Sequence, residues 1–299
     1  MSFREELAKY TAEAEGIIGS FLPAEEGEAG KLAEAMNDSS NAGGKRLRPV
    51  MMKMAYEMFG GDGEIIRPFM AAMEMIHTHS LIHDDLPAMD NDEYRRGKKT
   101  THIVYGEAAA ILAGDGLLNL AYETAAQALV RVSGDPVTAQ RAARALAILS
   151  GKTGFAGMIG GQSVDVAMDG KKLTSSQLDF IYRLKTGALI EASLMIGAVL
   201  AGADEDQVRT MEVIGRKIGI AFQIRDDILD VTGDERELGK PTHSDERNEK
   251  TTYVTLYGLE KANTDVNLLT QKAMQLLDGL SRPHPLLPQL LRSLVQRTK

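Results

Sequence analysis

Apolar positions recur along this chain with a helical period and seldom with the alternation of a strand. Residues 2–20 read as an amphipathic helix closed near Pro23 and Gly27, and 28–40 as a second, broken by Asn41–Gly44. Apolar helices are predicted over 50–59 and 64–84, and Ala- and Leu-rich ones over 106–133 and 137–150. Beyond a stretch with five glycines (151–165), helices are predicted over 176–202 and 205–232, the latter stopping at Gly233. About twenty polar residues (233–252) interrupt the pattern. Further helices fill 253–280, and a joint at Pro283, Pro285 and Pro288 precedes a short last helix. No run is convincing as a sheet strand, and there is no fixed-period repeat. The helical period crosses every candidate boundary, so the pattern predicts one all-α domain over 1–299.

Composition narrows the function. The 299 residues are 43% hydrophobic and rich in Ala, Leu and Met, which favours helix. A net charge of −8 argues against nucleic-acid partners. Without cysteine there is neither a disulfide nor a thiolate metal site, which suits a reducing cytoplasm. The N-terminus lacks the apolar core of a signal peptide. The longest apolar stretch, 187–202, carries Glu191 and reads as a buried helix, so no membrane span is expected.

Acidic residues point to chemistry. Residues 80–92, SLIHDDLPAMDND, hold Asp84, Asp85 and Asp90 around Pro87. On a regular helix Asp84 and Asp90 would lie about 240° apart. Pro87 ends the helix near Asp84–Asp85, and the following turn is expected to bring Asp90 back beside Asp84. Carboxylates crowded at a helix C-terminus repel one another unless a cation lies between them, and hard oxygen ligands imply Mg²⁺ shared with phosphate. One such cluster is equally well a polar helix-to-loop junction. A second, FQIRDDILD at 222–230, places Gln223, Asp226 and Asp230 on one helical face. Two clusters in one chain favour divalent ions held around a polyanion, with the clusters facing each other across a cavity.

Cations occur where phosphates would need them. GGKRLRP at 43–49 combines Gly44 with Lys45, Arg46 and Arg48 ahead of an apolar helix, suiting an anion. His77, two turns before Asp84, is either a core residue or a phosphate donor. Arg95 and Arg96 can serve two different anions. Lys185 and Thr186 interrupt an apolar helix, which is costly unless they meet an anion. Lys240 and Lys250 could reach back from the polar connection. Gln162 and Asp165 are candidates for a supporting polar network, with core packing the simpler reading.

Together GGKRLRP, DDLPAMD followed by RRG, KTG after a helix, and FQIRDDILD resemble the trans-isoprenyl diphosphate synthases from about residue 40 to 252. Pro87 and Ala88 within the first motif resemble the bacterial short-chain form, as in farnesyl synthases. The resemblance implies a helical bundle of isoprenoid synthase type around a deep central cavity, a homodimer, and Mg²⁺-dependent condensation of isopentenyl diphosphate with an allylic diphosphate. It assigns two of three Mg²⁺ to Asp84 and Asp90 and the third to Asp226, with Asp85 and Asp230 weaker or outside the coordination shell. Arg95, Lys185 and Lys240 would hold the allylic diphosphate with Lys250 nearby, and Thr186 and Gln223 would lie beside the allyl cation. Gly44 belongs to the GGKRLRP substrate motif, and Lys45, Arg48, His77 and Arg96 would hold isopentenyl diphosphate without metal. His79 and Ser80 would form the floor that limits chain length. His79 is neither the tyrosine usual in bacterial farnesyl synthases nor the non-aromatic residue of geranylgeranyl synthases. The resemblance therefore implies a fifteen-carbon product, with a twenty-carbon product as the alternative. A class I terpene cyclase needs only one diphosphate site, a non-catalytic subunit would have lost ligands, and a metal-dependent phosphohydrolase would need a different constellation.

Overall fold

The computed structural model of the chain describes residues 2–233, 250–280 and 284–297. Lys240, most of the 233–252 connection and Pro283 lie outside the described residues. Among the described residues the fold is all-α apart from one hairpin of two-residue strands, and the chain divides into two compact units. The first comprises Met1–Lys53 and Asp62–Ala147, the second Met54–Gly61 and Ile148–Lys299.

The first unit is built on α4 (Ile66–Asp84), which packs against α1 (Phe3–Gly19), α2 (Gly30–Ser40) and above all α6 (Glu107–Arg131). Helix α4 is buried nearly all round from Ile66 to Ile76, as expected of a helix apolar on every face. Phe69, Met70, Met73 and Ile76 are fully enclosed, and burial of each stabilises the fold by about 1.5–3 kcal/mol. Helix α6 buries a face of mostly small residues, among them Ala110, Ala113, Gly114, Leu117 and Ala121. The small residues let the axes approach: a Cβ at Gly114 would lie 2.2 Å from His83 Nε2.

Two boundaries differ from the periodicity. Helix α3 (Leu47–Met58) begins three residues earlier than its apolar run, because Pro49 is tolerated in a first turn, where its missing N–H is not needed. The segment after the first acid cluster is a hairpin pairing β1 (Tyr94–Arg95) with β2 (Lys98–Lys99). Arg96 and Gly97 at its tip both have positive φ, the requirement of a two-residue type I′ turn. Strands of two residues are too short to show an alternating pattern, so the sequence conceals them. A short α5 (Thr101–Tyr105) follows. Helix α7 (Pro136–Thr153) begins in this unit and ends in the second.

The second unit centres on α11 (Glu205–Thr232), which starts at a capping box formed by Asp204 and Gln207 and ends at Gly233. It packs against α10 (Ala188–Ala201), α13 (Leu259–Asp278) and α14 (Leu287–Val295). Preceding α10 are α8 (Met158–Ala167), α9 (Ser175–Ile181) and a π-helical turn at Tyr182–Gly187. Helix α12 (Tyr253–Tyr257) resumes the chain after Lys250.

By length and composition Ser175–Ala201 could cross a membrane, but it is mostly buried inside the protein. Glu191, 2% exposed, is enclosed with it. Lys152 and Arg216 both pair with it, and Lys152 also reaches Glu212 at 2.7 Å. An acid so enclosed persists only with such partners.

Candidate active site

In the first unit α4 ends at Asp84, and the chain then turns on itself: the Asp90 N–H donates to the Asp84 carbonyl at 2.9 Å and Asn91 N–H to Leu86 O at 3.1 Å. Asp90 is thereby returned beside Asp84, as Pro87 predicts. The Asp85 side chain faces inward instead. It is buried and accepts from Arg95 Nε at 2.7 and 2.9 Å and Nη2 at 2.6 Å. Burial pushes the Asp85 carboxyl up despite these bonds. Arg95 also meets Asp92 at 3.4 Å through Nη2.

The GGKRLRP cations separate by direction. Arg46, in left-handed backbone (φ 46°), points into the protein, donating to Glu74 Oε1 at 3.0 Å and Ser40 O at 2.7 Å. Lys45 stays exposed, while Arg48 donates from Nη1 to His77 Nε2 at 3.1 Å. Arg96 donates to Gly43 O, so the two cationic motifs are joined. Gly44 allows this: with φ 130°, a Cβ there would lie 2.6 Å from Arg96 Nη1.

Burial, followed by Arg48, Arg96, Arg95 and Arg46, holds His77 well below the ordinary imidazole value. It is therefore neutral at neutral pH: its Nε2 accepts from Arg48, and the ring keeps its one N–H donor at Nδ1. Burial brings Arg48 down to about 10, with Arg96 adding to the effect, yet Arg48 stays charged at neutral pH. Arginines crowded around a neutral histidine form a site that an anion would relieve.

His79 and Ser80 have different surroundings. His79, 7% exposed, bonds through Nδ1 to Gly114 O on α6 at 3.0 Å, and its ring meets His83 edge-on at 4.5 Å. Ser80 turns back to donate to His77 O at 2.8 Å.

In the second unit the π-helical turn displays the KTG motif. Lys185 Nζ meets Asp165 Oδ2 at 2.6 Å, and Thr186 Oγ1 donates to Gln223 Oε1 at 2.9 Å. Two glycines press on this turn. A Cβ at Gly161 would lie 2.3 Å from Lys185 N, and one at Gly219 2.6 Å from Gly187 Cα. Lys185, Thr186, Gln223, Asp165 and Lys250 line one cavity of about 150 Å³. Neither the π-turn nor the Asp165 pairing leaves a periodic signal, since each depends on packing from other helices.

Asp226 and Asp230 are on α11, Asp226 half-buried and Asp230 buried. Asp226 Oδ1 receives Arg297 Nη2 at 2.5 Å, and the same guanidinium stacks on Phe222 with Cζ 4.1 Å from the ring centroid. A cation thus already stands on Asp226, supplied by Arg297. Among the described residues, no three His, Cys, Asp or Glu side chains gather into a metal cage. Mg²⁺ needs no such cage, since it takes one or two carboxylates and completes its shell with water and phosphate. In the first unit Asp84 and Asp90 offer hard oxygen ligands of that kind; in the second Asp226 offers one that now faces a guanidinium.

If the guanidinium occupies a cation position, Arg297→Ala should tighten Mn²⁺ binding to the substrate-free protein by up to about fivefold, the scale of a partly exposed pair. Titration followed by electron paramagnetic resonance reads this; unchanged affinity would contradict it.

Comparison with known proteins shows the family of the chain. The polyprenyl synthetase family model matches residues 29–278. The chain is 43% identical to the farnesyl diphosphate synthase of Geobacillus stearothermophilus over 88% of its length and 86% of that protein's. It is also 43% identical to the geranylgeranyl diphosphate synthase of Cyanophora paradoxa, over 82% of this chain and 80% of that one. The crystal structure of a geranyltransferase from Legionella pneumophila superposes with a TM-score of 0.85 at 32% identity, covering 99% of this chain and 98% of that one.

Proposed function

Since the chain belongs to the polyprenyl synthetase family, a family of trans-prenyltransferases acting on isoprenyl diphosphates, we propose that it condenses isopentenyl diphosphate with dimethylallyl and geranyl diphosphates, making farnesyl diphosphate as its main product. One observation carries this reading. Within the first unit a carboxylate-rich turn (Asp84, Asp90) adjoins a separate cation cluster, with Arg48 and Arg96 acting on neutral His77 and exposed Lys45 preceding them in the chain. These are two chemically different anion sites, one suited to a metal-bound diphosphate and one to a bare diphosphate. A terpene cyclase needs only the first.

In this reading Asp84, Asp90 and Asp226 hold Mg²⁺, which when bound supplies Lewis-acid stabilisation of the departing diphosphate. Arg95, Lys185 and Lys250 bind the allylic diphosphate and stabilise the charge that develops on it as the allylic C–O bond breaks. The paired oxygens of Thr186 and Gln223 present negative dipoles to the allyl cation. Lys45, Arg48, His77 and Arg96 orient isopentenyl diphosphate so that its double bond attacks the cation. Loss of a proton, taken up by the released diphosphate, completes the new allylic product. No side-chain base is needed.

Product length follows from His79. Its bond to Gly114 O fixes the ring between α4 and α6, which supports a closed floor and a fifteen-carbon product, with some twenty-carbon product at high isopentenyl diphosphate. His79→Ala should lengthen the product by one five-carbon unit. Mass analysis of dephosphorylated products from both proteins tests this; a wild-type twenty-carbon product unchanged in the variant would place the floor elsewhere. Exposed Ile103, Val104, Ile111 and Leu112 support the homodimer, and the cysteine-free composition suits the cytoplasm.

A further inference from the structure

The sequence RDD at 225–227 sets two adjacent aspartates on α11, and their surroundings differ. Asp226 is half-buried against Arg297, whereas Asp227 is 4% exposed and turned into the second unit. A single oxygen, Asp227 Oδ2, accepts from the Tyr182 hydroxyl and from the Tyr253 N–H at 2.7 Å. The Tyr253 N–H also lies 3.2 Å from the Tyr182 hydroxyl, so the three groups close on one another.

The positions of these partners give the contact its meaning. Tyr182 opens the π-helical turn and lies three residues before Lys185. Tyr253 opens α12 and lies three residues after Lys250. Its N–H is one of the first-turn donors that a helix cannot satisfy internally. Asp227 therefore ties together the two segments that carry Lys185 and Lys250, and all three residues line the same cavity.

We infer that Asp227 is a positioning residue, not a cation ligand: its carboxylate fixes the Lys185 turn and the Lys250 segment relative to α11, and so sets the cationic lining that receives the allylic diphosphate. The last clause rests on the proposed function; the tie itself does not. A rigid cation pair is worth more to an incoming diphosphate than a mobile one, because less side-chain freedom is lost on binding.

The test compares Asp227→Ala, Asp227→Asn and Tyr182→Phe with wild type, using three readouts. Hydrogen exchange reports the two segments, Mn²⁺ titration reports metal affinity in the substrate-free protein, and calorimetry reports geranyl diphosphate binding with Mg²⁺ but without isopentenyl diphosphate. Asp227→Ala should speed exchange in both 182–187 and 250–257. It should weaken geranyl diphosphate binding about tenfold or more, the scale of one lost hydrogen bond to a charged group, and leave Mn²⁺ affinity unchanged. Asp227→Asn keeps an acceptor oxygen for both donors and should recover most of the binding. If Asp227→Ala does not fold, Tyr182→Phe decides the matter: exchange must rise in 182–187 at unchanged Mn²⁺ affinity. Weakened Mn²⁺ binding in Asp227→Asn, or unaltered exchange in Tyr182→Phe, would overturn the inference. Faster exchange in both segments, in a protein whose wild type binds no geranyl diphosphate, would uphold the tie and fault the proposed function instead.

Discussion

Asp84→Ala and Asp226→Ala should each lower turnover by about 10²-fold or more, the scale on which removal of one group stabilising developing charge is felt. The loss should come without unfolding. Asp84 is half-buried at a helix end, where a negative charge meets the unfavourable end of the macrodipole, so its removal relieves repulsion. Asp226→Ala deprives Arg297 of its partner, but the guanidinium keeps its stacking on Phe222. Circular dichroism and thermal melting should therefore match wild type while activity collapses. Near-normal turnover in either variant would remove these residues from the metal sites.

The second large effect separates the two substrates. Lys45→Ala and Arg48→Ala should raise KM for isopentenyl diphosphate by about 10-fold or more, since a hydrogen bond to a charged group contributes about 1.5–3 kcal/mol, and should change kcat little. Removing Arg48 costs His77 only a donor to a neutral ring, which water can replace. Lys185→Ala should instead raise KM for the allylic diphosphate and lower kcat, because its ammonium also stabilises the leaving group. Without substrate that ammonium is held by Asp165, so its position is set before the diphosphate arrives. Initial rates with each substrate varied in turn give the answer. Equal effects of Lys45→Ala on both substrates would reduce GGKRLRP to a structural turn.

Much of this was legible in the sequence because it depends on local rules. The end of α4 follows from Pro87, as does the return of Asp90 to Asp84. The length of α11 follows from its apolar period, its cap at Asp204 and its stop at Gly233. What stayed hidden depends on long-range packing. Nothing local says that, of three cations in GGKRLRP, Arg46 turns inward to Glu74 while Lys45 stays outside; a left-handed φ and an acid 28 residues away decide it. The π-turn at Lys185 is pressed on by Gly161 and Gly219, each on another helix. Asp226 and Asp227 are equivalent letters until Tyr182 and Tyr253 claim one and Arg297 the other. The hairpin bearing Arg95 is shorter than any periodicity can register.

The central claim is that two diphosphates are handled together and that one is released for each carbon–carbon bond formed. The direct measurement is diphosphate release by the purified protein with Mg²⁺ and geranyl diphosphate, with and without isopentenyl diphosphate. Release only when both substrates are present, in one-to-one proportion with a lengthened prenyl product, is the predicted result. Diphosphate release from geranyl diphosphate alone, with hydrocarbon or alcohol products and no lengthening, would contradict it.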